Sequence, residues 1–261
     1  MVHGLRLTEN NVLGVKMSEV VLECRNITKH YRGVCALRGV SFKLYKNEVL
    51  GIVGDNGAGK STLIKILRGA VHPTSGEILL NGRRVSFRNP RDAMNCGIQC
   101  VYQDLALVDE LSVKDNFFLG REIERKLFGF LPVLDEEAMC MEAAHALRQI
   151  GYEEIPLNAQ VADLSGGQRQ AIAIARAVFT RPEPFILLMD EPTSALSEKG
   201  KQKVFQFVSF LKKNYSIVLV THDLNAALQA CDRIIILKLG EIVFESNVHD
   251  GLSVKELISL M

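Results

Sequence analysis

A glycine-rich loop between an apolar strand pattern and a helix pattern is the first feature of this sequence that could do chemistry. The letters GDNGAGKS follow EVLGIV and precede TLIKILR. Glycines let backbone N–H groups turn inward around phosphates, Lys60 can reach the β- and γ-phosphates, and Ser61 offers a hydroxyl to Mg²⁺. The predicted nucleotide-binding residues of this loop are Gly54, Asp55, Asn56, Gly57, Ala58, Gly59, Lys60, Ser61 and Thr62.

Two adjacent carboxylates end another apolar strand pattern. Asp190 closes the run FILLMD, and Glu191 follows it directly. We expect Asp190 to hold Mg²⁺, directly or through water, and Glu191 to act as the general base for an attacking water molecule. The alternative is a polar turn before Pro192, which has little support once a phosphate loop lies upstream.

Two further polar residues occur where the predicted elements meet. His222 ends the apolar strand SIVLVT, and parallel strands bring their C-terminal ends to the ligand side of a sheet. We expect His222 to hydrogen-bond the γ-phosphate or to orient the attacking water. Gln103, in CVYQDLALV, lies at the junction between the first sheet region and a helical segment. Its amide could contact Mg²⁺ or the water, and by itself it would be an ordinary loop residue.

Tyr31, in ITKHYRG, is an aromatic residue that we expect just before the sheet begins. It could stack on the adenine of a bound nucleotide. A half-buried structural tyrosine explains it equally well, and the spacing does not separate the two interpretations.

A second anion site is predicted about a hundred residues after the phosphate loop, in DLSGGQRQAIAIARAVF. Ser165 is the expected N-cap of a helix, and Gly166, Gly167 and Gln168 would form its first turn. Small and apolar residues then recur with helical spacing at Ala171, Ile174, Ala175 and Val178. One nucleotide does not need two such sites in one chain.

The elements that must position these residues follow an α/β pattern. Short strand patterns and turn signals fill residues 19–100, a helical pattern covers about 105–162, and helices then alternate with the apolar strands FILLMD, SIVLVT and RIIILKLG. Near-continuous apolar strands separated by helices imply a mainly parallel sheet covered on both faces.

Composition excludes several classes of protein. The 31 basic and 30 acidic side chains almost cancel, so nothing in the charge balance calls for nucleic acid. Six scattered cysteines have neither disulfide nor zinc spacing, and we expect them to be small buried residues in a reducing compartment. No apolar run reaches the roughly 18 residues of a membrane helix, and no signal peptide is apparent, so we expect a cytoplasmic location.

Three regions are expected along the chain. Residues 1–18 are polar and patternless and are interpreted as a possible disordered extension. Residues 19–245 would form a single ATPase domain that includes the helical segment at about 105–162, and residues 246–261 a C-terminal helical end.

Taken together, these motifs resemble the nucleotide-binding subunit of ATP-binding cassette (ABC) transporters. The matching elements, in order, are Tyr31 as the A-loop aromatic, GDNGAGKS as Walker A, Gln103 as the Q-loop, LSGGQ (164–168) as the signature, ILLMDE as Walker B with Glu191, SALS (194–197) as the D-loop and His222 as the H-loop. The resemblance covers residues 19–245. It implies a P-loop NTPase fold, ATP and Mg²⁺ as cofactors, and Ser61, Gln103 and Asp190 as metal-binding residues.

The resemblance also accounts for the second anion site. In this family two cassettes pack head to tail, and the signature of one closes over the γ-phosphate held by the other. Ser165, Gly166 and Gly167 would therefore bind the ATP of a second copy. The D-loop departs from the family pattern, because Ser197 stands where an aspartate is usual, and a serine carries no charge across the interface.

Local similarity narrows the resemblance to ATPases of bacterial simple-sugar importers of the ribose, xylose and fructose type. The implied partners are a second copy, a membrane permease pair and an extracytoplasmic sugar-binding protein, and the implied location is the cytoplasmic membrane face. Six apolar residues of the helical segment would form either permease-docking surface or core: Phe117, Phe118, Leu119, Phe128, Phe130 and Leu131. An exporter ATPase remains the first alternative, and a soluble non-transport ATPase the second.

Overall fold

The computed structural model describes residues 19–102, 104–179, 183–193, 196 and 198–261. In chain order the strands are β1 (Val20–Tyr31), β2 (Val34–Tyr45), β3 (Val49–Val53), β4 (Ser75–Leu80), β5 (Arg83–Val85), β6 (Ile98–Val101), β7 (Glu124–Leu127), β8 (Leu131–Leu134), β9 (Ile186–Asp190), β10 (Ser216–Val220), β11 (Arg233–Lys238) and β12 (Glu241–Asn247). The helices are α1 (Lys60–Leu67), α2 (Pro90–Asn95), α3 (Val113–Phe118), α4 (Glu136–Gln149), α5 (Gly166–Val178), α6 (Glu198–Leu211), α7 (Leu224–Ala230) and α8 (Val254–Leu260).

The central sheet has six strands in the order β12-β11-β3-β10-β9-β6, and only β12 at one edge is antiparallel to its neighbour. Strand β10 shows why the sequence is apolar from Ile217 to Val220. Ile217 and Leu219 pack into one core cluster, whereas Val218 and Val220 pack into the other. Successive strand residues point to opposite faces, so a strand covered on both sides needs an apolar residue at every position. The predicted α/β fold is confirmed.

A second sheet in the N-terminal third is antiparallel, with the order β2-β1-β4-β5. Its inner residues pack with helix α1 and one face of the central sheet in a shared core cluster. Strand β2 alternates buried and exposed residues near its end, with Val40, Phe42 and Leu44 inside. This alternation is typical of a sheet with one solvated face.

Helix α5 begins where the sequence places it. Ser165 is the N-cap, its hydroxyl accepts a bond from the Gln168 N–H, and the Gln168 side chain accepts one from the Ser165 N–H, which completes a capping box. The four residues predicted to form its buried face, Ala171, Ile174, Ala175 and Val178, are all buried. The helical period therefore predicts the packed face of α5 correctly.

The segment 105–162 is only partly helical. Helices α3 and α4 are present, but the residues between them form the β7–β8 hairpin, which the sequence analysis missed. Polar and apolar residues follow neither a strand nor a helix period there, because neither face of the hairpin is buried. The division of the chain into a 19–245 domain, a helical subdomain and flanking ends stays a prediction, and the 1–18 extension lies outside the described residues.

The expectation for the cysteines is only partly right. All six are free thiols, and Cys24 and Cys231 are buried, but Cys96 is exposed because it caps the C-terminus of α2. Cys35, Cys100 and Cys140 are half-buried. Within the described part of the chain, every helix is too short or too polar to cross a bilayer.

Candidate active site

The phosphate loop connects the buried strand β3 to helix α1, and its shape depends on glycine. A Cβ on Gly54 would lie 2.1 Å from the carbonyl oxygen of Leu237, which is far inside van der Waals contact. Gly59 has a φ of 109°, and a Cβ there would lie 2.7 Å from the carbonyl oxygen of Ala36. Both positions therefore exclude any larger side chain, and the loop lies directly against β2 and β11.

Lys60 folds back into this loop. Its Nζ donates hydrogen bonds to the carbonyl oxygens of Gly54 at 2.6 Å and Asp55 at 3.0 Å. Burial lowers the pKa of Lys60, and the negative charges of Glu191 and Asp190 oppose that shift. The loop thus holds the Lys60 ammonium group at the wall of the cavity described next.

A cavity of about 430 Å³ opens beside the loop. Its lining consists of Ala36, Asn56, Gly57, Gly59, Lys60, Ser61, Thr62, Glu191 and His222. All but Ala36 are predicted site residues, so the fold brings together side chains from three separate parts of the sequence. Of the remaining loop residues, Gly54 and Asp55 hold Lys60 through their carbonyls, and Ala58 is buried.

Ala36 has no side-chain chemistry, which is why the sequence offers no signal for it. It lies in β2, far from the phosphate loop along the chain, and reaches the cavity because its carbonyl approaches Gly59 and Gly240. Only the packing of the two sheets against each other brings Ala36 to the cavity.

Asp190 ends β9 with one carboxylate oxygen unsatisfied. Its Oδ1 is buried and has no hydrogen-bond partner among the described residues. Burial raises the pKa of Asp190, and the adjacent charge of Glu191 raises it further. Such an oxygen fits a hard divalent cation, and Mg²⁺ is commonly held by one or two protein oxygens together with phosphates and water. Asp190 and the exposed hydroxyl of Ser61 therefore suit Mg²⁺, although the described residues contain no cluster of three or more acidic, histidine or cysteine ligands.

Glu191 adopts a backbone conformation that is rare for its residue type. Its φ is 51°, and its N–H donates to the carbonyl oxygen of Val220 at 2.9 Å, which ties it to the neighbouring strand β10. A non-glycine residue in the left-handed region costs free energy and is found most often at functional sites. The backbone is bent just where the second carboxylate must leave the sheet.

The Oε2 atom of Glu191 lies 2.8 Å from Nδ1 of His222. A carboxylate oxygen accepts hydrogen bonds, so Nδ1 is the donor in this contact. The Glu191 side chain is 12% exposed, whereas that of His222 is 59% exposed. The pair therefore has a sheltered carboxylate and an imidazole that faces the solvent side of the site.

Helix α7 fixes the position of His222. The next residue, Asp223, is its N-cap and accepts a hydrogen bond from the N–H of Ala226 at 3.1 Å. Asp223 also forms an ion pair with Lys201 of α6 at 3.1 Å. The histidine thus lies between a buried strand and a capped helix, as its place after SIVLVT predicts.

Arg68 is a charged neighbour that the sequence analysis missed. It caps the C-terminus of α1, its guanidinium lies 4.7 Å from the ring centroid of Tyr102, and its charge opposes the rise in the pKa of Asp190. A single basic residue at a helix end gives no sequence signal for such contacts.

The signature residues do not line the cavity described above, although all of 164–168 are described. Ser165 and Gly166 are exposed at the start of α5. A Cβ on Gly166 would meet nothing closer than Leu196 at 3.7 Å, and one on Gly167 nothing closer than Tyr152 at 3.9 Å. Neither glycine has a positive φ, so the fold of a single chain does not require glycine at either position.

Tyr31 ends β1 and is 41% exposed, with the Nζ of Lys29 lying 5.0 Å from its ring centroid. It is not among the residues that line the cavity. Its role toward adenine stays a prediction. Gln103 and three D-loop residues, Ser194, Ala195 and Ser197, lie outside the described residues.

Comparison with known proteins agrees with this geometry. A family model described as ABC transporter matches residues 37–194. The xylose/arabinose import ATP-binding protein XylG of Sulfolobus acidocaldarius is 40% identical over 242 residues, which cover 92% of this chain and 93% of XylG. The fructose import ATP-binding protein FrcA of Rhizobium meliloti is 41% identical over 236 residues, which cover 89% of this chain and 90% of FrcA.

Solved structures give the same result. The ADP conformation of MJ1267, an ATP-binding cassette of an ABC transporter, superposes with a TM-score of 0.78 at 26% identity and covers 92% of this chain and 98% of its own. A dimeric post-hydrolysis state of the cassette MJ0796, bound to ADP and Pi, superposes with a TM-score of 0.73 at 30% identity. The match covers 87% of this chain and 98% of the MJ0796 chain. Phosphate loop, paired carboxylates and histidine thus lie in a cassette fold, and the chain belongs to the ABC transporter family as an ATP-binding, ATP-hydrolysing subunit.

Proposed function

We propose that this chain powers the import of a simple sugar through a membrane permease, by dimerising around two ATP molecules and hydrolysing them. The hydrolytic step rests on one observation above all, the contact between Glu191 and His222 at the edge of the cavity that Lys60 lines. The sugar is inferred from what the relatives XylG and FrcA are named for, import of xylose/arabinose and of fructose.

ATP would bind with its phosphates in the loop of residues 54–62. Backbone N–H groups at the start of α1 would bind phosphate oxygens, and the Lys60 ammonium would leave its two carbonyl partners for the β- and γ-phosphates. Tyr31 would stack on adenine. Ser61, Asp190 and Gln103 would hold Mg²⁺, which supplies positive charge against the phosphate oxygens as the bond to the leaving group breaks.

In the hydrolysis step, Glu191 would accept a proton from water while the water oxygen bonds to the γ-phosphorus and the bond to the β-phosphate oxygen breaks. The products are ADP and inorganic phosphate. His222 would hold the Glu191 carboxylate through Nδ1 and present Nε2 toward the water or the γ-phosphate. The left-handed backbone at Glu191 is consistent with a carboxylate that must point into the cavity rather than along the strand.

The two signature glycines support a dimer. At the first turn of a helix, glycine is less favourable than alanine by up to about 1 kcal/mol. Since Gly166 and Gly167 have room for a Cβ within their own chain, glycine would be required there only by a contact from outside it. A phosphate held by the loop of a second copy, approaching the N-terminus of α5, would supply that requirement.

The permease would dock on a groove of about 460 Å³ near the helical segment. Its lining includes Tyr102, Leu119, Arg121 and Arg176. The two arginines donate hydrogen bonds to backbone carbonyls and form no ion pair with a described carboxylate. Burial, then the charge of Arg176, lowers the pKa of Arg121 to about 10. An acidic residue on a permease helix would suit this surface.

The six apolar residues that the sequence left as either docking surface or core divide into two groups. Phe117 and Phe118 are buried in the core against α4 and α5, so their side chains cannot dock a partner. Leu119 is exposed and lines the groove, and Phe128, Phe130 and Leu131 are exposed on the β7–β8 hairpin. Helical spacing does not distinguish the buried pair from the exposed set.

The proposed assembly is a peripheral one, on the cytoplasmic face of the membrane, with a sugar-binding protein outside reached through the permease. To test it, the Glu191→Gln chain is tagged in its native cells, trapped with ATP, purified in mild detergent and its companions identified. A permease together with a secreted sugar-binding protein supports import. A permease without a binding protein points to export, and ribosomal or DNA-bound partners without a membrane protein contradict the transport proposal.

A further inference from the structure

The β7–β8 hairpin is the most exposed apolar element of the described chain. Phe128 is 81% exposed and Phe130 is 77% exposed, more than any other large hydrophobic side chain that the structure describes. Seven of the eight strand residues are exposed, and Val133 is half-buried. The hairpin pairs with no other described strand. A two-stranded ribbon with both faces in water is only marginally stable, so we expect a partner to cover it.

The turn at the tip of the hairpin places an aromatic residue, Phe128, in a strained backbone conformation. Phe128 and Gly129 have φ values of 53° and 80°, and the Phe130 N–H donates to the Leu127 carbonyl at 3.3 Å. Three residues, Phe128 to Phe130, connect the paired Leu127 and Leu131. Phe128 and Gly129 are the central residues of a turn with positive φ at both positions, which strongly favours Asn-Gly or Gly-Gly, and phenylalanine at the first of them is unfavourable. Phe128 therefore occupies the tip at the expense of local stability, which indicates a binding role.

Side chains are layered from the tip to the base of the hairpin. Leu127 pairs with Leu131 behind the two phenylalanines. Behind them, Lys126 pairs with Pro132 on one face, and Arg125 pairs with Val133 on the other face, one pair further back. Glu124 follows behind Lys126. Along β7 the order is thus apolar, then basic, then acidic, and each face carries one cation, whereas β8 is apolar throughout and ends at the exposed Leu134.

This layering distinguishes between two kinds of occupant. A protein groove covers one face of a ribbon and would leave the other apolar face and its cation in water. A lipid surface surrounds an inserted tip, and its phosphates meet cations on both faces, while acidic residues remain furthest from the anionic headgroups. The base of the hairpin is fixed, because Ile123 packs into the core and its carbonyl accepts a bond from the Asp135 N–H at 2.7 Å.

We propose that the β7–β8 hairpin of this chain inserts its Phe128–Phe130 tip into the headgroup region of an anionic lipid bilayer, with Arg125 and Lys126 contacting lipid phosphates. The hairpin would anchor the ATPase to the membrane directly, in addition to any contact with a permease. This inference needs neither ATP nor a sugar, so it is tested separately from the proposed transport function.

The test is co-sedimentation of the purified full chain with vesicles of one part phosphatidylglycerol to three parts phosphatidylcholine. Phe128→Asn is the informative variant, because Asn-Gly suits the turn and keeps the hairpin formed while removing the apolar tip. We expect binding to weaken by about tenfold or more. Arg125→Gln with Lys126→Gln should weaken binding by about fivefold per cation at low salt and abolish the preference over pure phosphatidylcholine.

Phe210→Ser is the matched control, since Phe210 is an exposed phenylalanine on α6, and it should sediment like the wild type. ATP hydrolysis by Phe128→Asn should also equal that of the wild type, which shows that the chain is folded. Wild-type chain that stays in the supernatant would overturn the inference, and so would equal sedimentation of Phe128→Asn. If Phe128→Asn binds vesicles normally but no longer co-purifies with a permease, the hairpin is a protein contact and the lipid inference is wrong.

Discussion

The Glu191 carboxylate and the His222 imidazole are 2.8 Å apart, although 31 residues separate them in the chain. Strands β9 and β10 are parallel neighbours, with Asp190 opposite Val220, so the residues just after each strand meet at one edge of the sheet. The backbone bond from Glu191 to Val220 draws the two ends together. The contact between these two side chains is therefore a product of strand order.

Glu191→Gln should lower ATP hydrolysis by roughly 10²–10⁴-fold, because the amide cannot accept the proton of the attacking water. ATP binding should persist, since Lys60 and the loop are unchanged, and ATP should hold the variant as a dimer. Phosphate release and size-exclusion chromatography with ATP measure the two effects. Glu154→Gln changes an exposed glutamate elsewhere and serves as the control. Hydrolysis at the wild-type rate would assign the base to another residue.

His222→Ala should reduce the turnover number by on the order of tenfold to a hundredfold, the cost of losing one hydrogen bond to a charged group at the reacting centre. The KM for ATP should change less than the turnover number, because the phosphate loop is intact. Steady-state kinetics separate the two parameters. His249→Ala, at an exposed position outside the cavity, should match the wild type. A large rise in KM with normal turnover would place His222 in ground-state binding instead.

Lys60→Ala should abolish tight ATP binding rather than slow the chemical step, since it removes the ammonium that the loop holds beside the cavity. Titration with a fluorescent ATP analogue measures the loss directly. Lys203→Ala is the matched control, because it removes the same positive charge from α6, outside the cavity lining. Unchanged affinity in Lys60→Ala would contradict the phosphate-loop assignment.

Asp190→Asn should stabilise the nucleotide-free chain while removing Mg²⁺-dependent activity. Burial and the charge of Glu191 raise the pKa of Asp190 in the folded state. Ionisation of Asp190 therefore favours the unfolded chain, and this cost builds up as the pH rises from the ordinary value of 3.8 through the raised folded pKa. Above that window the gain from asparagine should be about 1 kcal/mol, or roughly 2–4 °C in Tm.

Thermal melts at neutral pH and near pH 3.8, without nucleotide, test whether Asp190→Asn is more stable than the wild type. The advantage of Asp190→Asn should shrink as the pH falls. A variant that is less stable than the wild type at neutral pH would show that the Asp190 charge is already compensated within the chain.

Gly167→Ala should leave the monomer at least as stable, because alanine favours the first turn of α5 and its Cβ has room. It should nevertheless impair ATP-dependent dimerisation and hydrolysis, since the methyl group would meet the second copy's phosphate. Thermal melts without nucleotide and chromatography with ATP measure the two effects. Gly57→Ala is a contrasting variant, because its φ of 85° predicts strain within the loop itself. Normal dimerisation of Gly167→Ala would contradict the proposed shared site.

Phe117→Ser should destabilise the chain by about 3–5 kcal/mol, because the ring is 1% exposed in the core. Leu119→Ser should leave the melting temperature nearly unchanged and weaken association with the permease through the groove. Each variant is co-purified with the permease under conditions in which both variants remain folded, and the amounts of permease recovered are compared. Full permease binding by Leu119→Ser would remove that groove from the docking proposal.

Local patterns predicted what depends on local rules. The start of α5 follows from Ser165 and Gln168 as a capping box, and helix α1 occupies the residues that follow the glycine loop, as expected. Fully apolar runs predicted the buried parallel strands, because a strand covered on both faces leaves no polar position. The hairpin was missed, since a ribbon exposed on both faces has no hydrophobic period to detect.

The sequence by itself determined the chemistry available to this protein: a lysine and glycine loop for phosphate, two adjacent carboxylates for a metal and a base, and a histidine at a strand end. Residue type alone supplies these functional groups: an ammonium, two carboxylates and an imidazole. Tertiary structure alone decided which of them meet. The strand order brought His222 to Glu191, the packing of two sheets brought Ala36 to the cavity, and core packing buried Phe117 while it left Phe128 in solvent. Such contacts join residues far apart in the chain, and their free energy depends on the whole packed fold rather than on any local pattern.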